Sequence, residues 1–344
     1  WGHFFAMLSL GRQGASAFGR NIVRCSAPIL RRSAQSNTKV ADESTSEFKT
    51  TVSALVSSRL FPSKQIDPVP VHSMCDAYRI QHGVAQCASL RSKEGGAIKG
   101  WKVGASNQAA IDKLGLDEAF RGPLFAPTLR RSPSTVAWEE LGVALFAVEA
   151  EFAFSMAKPL PPRPEAYTED EVWAAVQCVH PAIEIAASRS PSALPLGPET
   201  VHALVADHAL HGVLVVGDGV PAGEVTRESL PNVQATIDRT EPSVNGDAGS
   251  GSAVGNGKGA NVLGSPLTSL TWLANALRKD GITLEAEAIV TTGAAALLTS
   301  AQVPWGKACV LEASLSGLSK EEGAKHCVRL TMPKEGVRPW EIRE

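Results

Sequence analysis

Leu145-Phe-Ala-Val-Glu-Ala-Glu-Phe-Ala-Phe154 is the stretch on which the reading of this 344-residue chain turns. Val148, Ala150, Phe152 and Phe154 alternate with Glu149 and Glu151, so a strand here has one apolar face and two carboxylates on the other. They are the only charges between Leu141 and Ala157. Two like charges on one strand face stand about 7 Å apart, and burying either one unpaired costs several kcal/mol. A third lone acid, Glu184, lies in Pro181-Ala-Ile-Glu-Ile-Ala186, another apolar strand-like run. A divalent cation shared by Glu149, Glu151 and Glu184 would resolve all three, and an all-oxygen donor set suits Mg2+ or Mn2+. For the first two glutamates alone, the plainer alternative is a solvated strand face.

Outward from this stretch the chain reads as mixed α+β. From Ser44 to about Lys99 the pattern is helical: Phe48, Val52, Leu55 and Val56 recur at helical spacing, and Met74, Tyr78 and Gln81 to Cys87 repeat it. From Gly100 short apolar runs punctuated by Gly and Pro read as strands, among them Gly212 to Gly217 and Ala288 to Thr292. Two helices interrupt them. Thr168 and Glu171 form a capping box ahead of a stripe of Val172, Ala175, Val176 and Val179. Ser265 and Pro266 start the other, with Leu267, Leu270, Leu273, Ala274 and Leu277 inward and Gly281 as the stop. The Gly/Ser/Asn-rich stretch from Thr240 to Gly259 fails the spacing of a phosphate loop, since Gly259 follows Lys258, and reads as a flexible surface loop. His180 reads as a satisfied structural histidine, and Arg189 as either a carboxylate-binding residue or half of an ion pair.

Composition narrows the function classes. Hydrophobic residues make up 44% and charged residues 20%, enough for a sizeable core. No run of about 18 uncharged apolar residues is present, so a membrane span is not expected. The six cysteines include no C-x-x-C pair, which gives no zinc knuckle and no disulfide framework. The net charge of −2 hides an asymmetry. Residues 1–41 hold five arginines, Lys39 and no acid, while the remainder has 27 basic against 35 acidic residues. An acidic body argues against nucleic acid as partner. The basic, Ser-rich segment after Met7 has the make-up of an organelle transit peptide. Mitochondrial import to the matrix is expected, with a plastid as the alternative. The expected layout is residues 1–43 as transit peptide or disordered tail, 44–99 as a helical N-terminal region and 100–344 as the metal-binding catalytic core.

Glu149-x-Glu151 followed by Pro181-Ala-Ile-Glu184 resembles the 2-keto-4-pentenoate hydratase family of the fumarylacetoacetate hydrolase superfamily, which also holds 4-oxalocrotonate decarboxylases. Collinear matches span about residues 48–333: Ala77-Tyr-Arg-Ile-Gln81, Gly100-Trp-Lys-Val-Gly104, Gly122-Pro-Leu-Phe125, Ser188-Arg189, Ala206-Asp207, Leu263-Gly-Ser-Pro-Leu267 and Thr292-Gly293. The resemblance implies a fumarylacetoacetate hydrolase-like β-roll or sandwich behind a small helical region, with Mg2+ or Mn2+ held by Glu149, Glu151 and Glu184. A 2-oxo acid would chelate the cation, which stabilises the enolate. Lys102 matches the active-site lysine; by itself, the Trp-Lys-Val alternation also suits an edge strand. Lys102, Asp207 and His208 are the expected catalytic residues, and Ser188, Arg189, Thr292 and Gly293 the expected substrate contacts. A homo-oligomer is implied, with membership of a larger organelle complex as a further option.

Departures from the family pattern bear on the reaction. Phe120 stands where close hydratases have an acid two positions before the glycine matching Gly122, and the usual Asp-Asn pair is Asp207-His208. Glu287-Ala288 replaces a Gly-Asp. The expected activity is therefore a metal-dependent lyase on a small 2-oxo acid, by hydration or decarboxylation. The alternatives are a catalytically silent homologue serving as an organelle subunit and, more weakly, an acylpyruvate hydrolase.

Overall fold

Helices come first, as the spacing of Phe48, Val52 and Leu55 predicts: α1 is Ser46–Leu60 and α2 is Met74–Gln86, the latter capped by the Ser73 hydroxyl on the Asp76 N–H. The computed structural model describes residues 46–60, 66, 70–87, 98–142, 144–190, 196–242 and 252–334, all within one unit, Thr38–Glu344. The expected targeting segment lies outside the described residues.

Two sheets follow. The larger has the order β2 (Phe120–Phe125), β1 (Ile98–Gly104), β11 (Ile289–Thr299), β5 (Ala144–Met156), β6 (Val176–Ser188), β7 (His211–Val216) and β3 (Leu129–Arg131), with β8 (Val220–Pro221) beside β6. The smaller has the order β10 (Ala253–Lys258), β9 (Gln234–Thr240), β12 (Cys309–Ser316), β13 (Lys325–Met332) and β4 (Ser134–Thr135). Helices α3 (Gln108–Leu114), α4 (Glu169–Trp173), α5 (Val201–Ala206) and α6 (Pro266–Lys279) sit between strands.

The larger sheet cannot be flat. β2 and β3 lie at its two ends, yet only Ala126–Thr128 connects them. Four residue steps reach roughly 14 Å, whereas six inter-strand spacings in a flat sheet span roughly 29 Å. The sheet therefore curls into a roll. Leu124 of β2 and Leu129 of β3 meet in one apolar cluster with Ala153, Ala182, Leu214, Val216 and Ile289, which lines the inside of the roll. The outer face carries Val148, Ala150, Phe152, Phe154, Ile183 and Ile185 against Ile237, Leu311 and Leu330 of the second sheet and Leu270, Leu273 and Leu277 of α6. Each such buried side chain contributes about 1.5–3 kcal/mol. A third cluster joins α1, α2 and α5 to Phe120, Ala186, Ala209 and Leu210, so the N-terminal helices cap one end of the roll.

Two local expectations are corrected. The capping box of Thr168 and Glu171 is present, but the helix ends at Trp173 after five residues; Val176 and Val179 belong to β6. Pairing with β5 from Val176 to Ser188 outweighs one more helical turn in a β-branched run. The Gly-rich stretch is only partly a loop. Ala253–Lys258 is a strand paired with β9, and a Cβ on Gly257 would stand 1.9 Å from the Ala295 carbonyl oxygen. Its glycine lets β11 pass close by. Residues 243–251 lie outside the described residues. Lys102 is not on an edge, because β1 pairs with both β2 and β11.

Candidate metal centre

Alternation puts Glu149 and Glu151 of β5 inside the roll and their apolar neighbours outside. In β6 the same rule places Glu184 inside, between Ala182 and Ala186. Glu149 and Glu184 are direct cross-strand partners, so their side chains share one face. Ligand atoms from Glu149, Glu151 and Glu184 all lie within 4.8 Å of one another. Glu151 and Glu184 are 1% and 0% exposed, and Glu149 is half-buried.

Each buried carboxylate has one oxygen held and one left over. Glu151 Oε2 accepts from the Gly293 N–H at 2.7 Å and from the Thr291 hydroxyl; its Oε1 has no partner. Glu184 Oε1 accepts from Lys102 Nζ at 2.8 Å and His211 Nδ1 at 2.9 Å; its Oε2 has none. An unpaired buried carboxylate oxygen is costly, and here it recurs on two adjacent acids. With all three ionised, the carboxylates against the Lys102 ammonium would also leave a charge of −2 in the roll. A hard divalent cation supplies both the charge and the missing partner, so the donor set fits Mg2+, Mn2+ or Ca2+.

Proton affinities record the same strain. Burial, then the neighbouring charges of Glu184 and Glu149, pushes Glu151 well above the usual carboxylate range. Burial raises Glu149 as well, against the pull of Lys102. For Glu184 burial acts upward, but Lys102 and His211 outweigh it and hold it at about 2. Burial alone would lower Lys102; the three glutamates reverse this and raise it, keeping the ammonium. Burial lowers His211, so the ring is neutral and the carboxylate fixes its proton on Nδ1.

A β-bulge aims one of these contacts. Between Thr291 and Ala294 the β11–β5 register slips, and Gly293 adopts φ +104°, turning its N–H onto Glu151. Any Cβ there would also stand 2.0 Å from Ser106 Oγ.

The remaining residues singled out from the sequence fall into several settings. The Gly293 N–H donates to a candidate ligand, Glu151 Oε2. The Thr292 hydroxyl donates to the Phe152 carbonyl at 3.0 Å, and Ser188 Oγ to the Ser190 carbonyl at 2.7 Å, so both hydroxyls are committed to backbone. Arg189 is half of an ion pair: Nη1 meets Asp207 Oδ2 at 3.2 Å and Nη2 donates to the His211 carbonyl at 3.1 Å. Asp207 is held from the other side by Arg59 of α1 at 3.0 Å, so two guanidiniums engage its carboxylate. His208 is fully buried, 5.4 Å from the Phe125 ring, and neither ring nitrogen has a partner at hydrogen-bonding geometry. His180 is satisfied as expected, between the Gly217 carbonyl and Ser155 Oγ, both at 3.0 Å.

Sequence reading missed His211, Thr128, Thr291 and Arg59. His211 bridges Glu184 and Thr128 Oγ1, the latter at 3.0 Å. Its only sequence signal is a histidine opening the apolar run of β7; Arg59 gives none, since its partner is 148 positions away.

No protein-family model matches the chain. Over 228 residues it is 31% identical to a 2-keto-4-pentenoate hydratase of Paraburkholderia xenovorans (strain LB400), covering 66% of this chain and 76% of that protein. A 2-hydroxyhexa-2,4-dienoate hydratase of Comamonas testosteroni is 27% identical over 235 residues, covering 68% and 81%. Among solved structures, 4-oxalocrotonate decarboxylase from Pseudomonas putida G7, complexed with magnesium and adipate, aligns with TM-score 0.66 over 83% of this chain and 97% of that one. At 22% identity that alignment speaks for the fold alone. The hydratase match goes further, since its identity runs through three quarters of the relative's length: the chain belongs to the 2-keto-4-pentenoate hydratase family.

Proposed function

We propose that the protein is a metal-dependent lyase acting on a small 2-oxo acid through its enol or enolate form. The supporting observation is the pair of orphaned oxygens, Glu151 Oε1 and Glu184 Oε2, on a cluster whose one counter-charge among the described residues is Lys102. Glu149, Glu151 and Glu184 would hold Mg2+ or Mn2+, which when bound supplies the positive charge against which the keto oxygen can gain electron density. The chain's own residues set the rest. Lys102 keeps Glu184 oriented and carries a proton at Nζ beside the site. His211 steadies the same carboxylate oxygen, and Gly293 and Thr291 steady Glu151. Leu124, Ala153, Ala182 and Leu214 keep water from beneath the cluster.

Adding water across a double bond needs a further group to hold and deprotonate it. Phe120 has no atom for this. Glu118 is exposed, and its Oε2 accepts from the Trp272 indole N–H at 2.8 Å. Exchange of C3 protons or loss of CO2 is therefore expected to outrun hydration. The test is a panel of 2-oxo acids with Mg2+ and Mn2+, read by enol absorbance, CO2 release and deuterium uptake at C3. Turnover in any channel supports the reading; inertness with cation bound favours the silent organelle subunit. Import into the mitochondrial matrix and assembly into a homo-oligomer complete the proposal, supported by the Arg-rich segment and the family resemblance respectively.

A further inference from the structure

We propose that Thr128 is a positioning residue for the cation: through the His211 ring it commits one oxygen of Glu184 and leaves the other, Oε2, to the metal. The inference rests on the cation reading above and deepens it. One strand irregularity and one turn bring the pieces together. From Ala182 to Ile185 the β6–β7 ladder runs in step, with Ile185 opposite Val213, so Ala186 would next face Gly212. Instead the register slips and Ala186 faces His211. Ala186 shares the inward face of β6 with Glu184, so the slip turns the His211 ring into the roll. Gly212 takes up the slack, since a Cβ there would stand 2.6 Å from the Ile185 carbonyl oxygen. Thr128 arrives from the other end of the sheet, as the last residue of the Ala126–Thr128 connection between β2 and β3.

The hydrogen bonds then allow one arrangement of protons. Glu184, ionised beside Lys102, can only accept, so His211 Nδ1 at 2.9 Å carries the ring proton. The neutral ring has its lone pair at Nε2, and Thr128 Oγ1 stands 3.0 Å from it. The hydroxyl has one proton and a second acceptor in reach, the Phe125 carbonyl at 3.0 Å; the lone pair of a ring that is 1% exposed claims it. Arg189 holds the backbone of the same residue, donating to the His211 carbonyl at 3.1 Å. With Nε2 and the backbone both fixed, the ring does not turn about its Cβ–Cγ bond, and Nδ1 stays on Oε1. Oε1 therefore carries Lys102 and His211 together, and Oε2, buried and unpartnered among the described residues, is the free donor atom. Outer contacts that orient a ligating carboxylate are worth about 10–100-fold in metal affinity.

Calorimetry with Mn2+ on the full chain tests this. Thr128→Val keeps the shape of the side chain and loses the hydroxyl, and should weaken Mn2+ binding about tenfold. Thr128→Ser, which keeps the hydroxyl, should bind like the natural chain. His211→Ala should also weaken binding, and in that background Thr128→Val should have no further effect, because Thr128 acts through the ring. A packing role would weaken binding by the same factor in both backgrounds, and that result overturns the proposal. Natural affinity in a folded Thr128→Val or His211→Ala variant overturns it too, as does a Thr128→Ser variant that behaves like Thr128→Val. Nitrogen-15 NMR of the cation-free natural chain at pH 8 needs no variant and should show His211 protonated on Nδ1. A proton on Nε2 overturns the proposal even if Thr128→Val fails to fold. If the natural chain binds no Mn2+, the cation reading falls and this proposal with it; Mn2+ binding indifferent to Thr128→Val removes this proposal alone.

Discussion

Glu151 and Glu184 face the same few ångströms of space with opposite proton affinities, and the difference comes from their partners. Glu184 has Lys102 and neutral His211 on one oxygen; Glu151 has a backbone N–H and a hydroxyl. Because burial raises the folded-state values of Glu149 and Glu151 above their unfolded ones, the cation-free fold takes up protons and loses stability as pH rises past the usual carboxylate range. Glu184, held at about 2, acts in the other sense, and its contribution is lost as pH falls from about 4.5 toward that value. In EDTA the protein should therefore melt at a higher temperature near pH 5.5 than near pH 8, and saturating Mg2+ should erase the difference. Scanning calorimetry at the two pH values checks it; an unchanged gap with Mg2+ contradicts a shared cation. Glu151→Gln should abolish Mn2+ binding by calorimetry while leaving the cation-free fold as stable or more so, since one repelling charge is gone. Phe120→Asp should raise hydration of 2-hydroxypenta-2,4-dienoate by about 10²–10⁴-fold, if that acid is the base, without altering cation affinity.

At the element scale the site is a product of strand register. A one-residue slip between β5 and β6 would turn Glu184 out of the roll and separate it from Glu149. Close backbone approach sets a second constraint. A methyl group at Gly257 would drive into the Ala295 carbonyl at 1.9 Å, so Gly257→Ala should cost about 1–3 kcal/mol. At Gly317, where nothing lies within 4 Å, Ala should cost only the strain of φ +79°, about 1 kcal/mol. Urea titrations of the two variants measure the contrast. The Asp207–His211 segment carries a third device. His208, Ala209 and Leu210 all have positive φ, a run that costs about 1–2 kcal/mol per residue for side chains with a Cβ. Asp207 at its head is clamped by two guanidiniums, and His211 at its foot is bound to Glu184. Gly122 leaves room for it, since a Cβ there would stand 2.7 Å from the His208 carbonyl.

For the whole molecule, Asp207 joins the helical cap to the roll through Arg59 on one side and Arg189 on the other. Asp207→Asn removes the carboxylate charge that faces two buried guanidiniums and should lower stability by about 3–5 kcal/mol, while Mn2+ affinity, expected to depend on the three glutamates, should be kept. Thermal melts alongside calorimetry test this, and lost cation affinity in a folded variant would return Asp207 to the site. The acid-free segment before the described residues should direct a fluorescent reporter carrying residues 7–45 to mitochondria. A cytosolic reporter would contradict it.

Local chemistry determined much from the sequence by itself. Alternation around Glu149 and Glu151 marked a strand with a charged face, Ser265-Pro266 and Thr168–Glu171 marked helix starts, and an isolated acid in Pro181–Ala186 marked the third candidate ligand. These signals survive because they depend on neighbours two to four positions apart. Only the tertiary structure decided what lies across the fold. It placed Val176 in a strand, because the partner strand is distant in sequence. It engaged Arg189 and Asp207 with Arg59, and set His211 and Thr128 behind Glu184. Curling one sheet until β2 meets β3 encloses three carboxylates with one lysine, and that enclosure makes the proton affinities of Glu149 and Glu151 abnormal. No pattern along the chain encodes the loss of water that burial imposes.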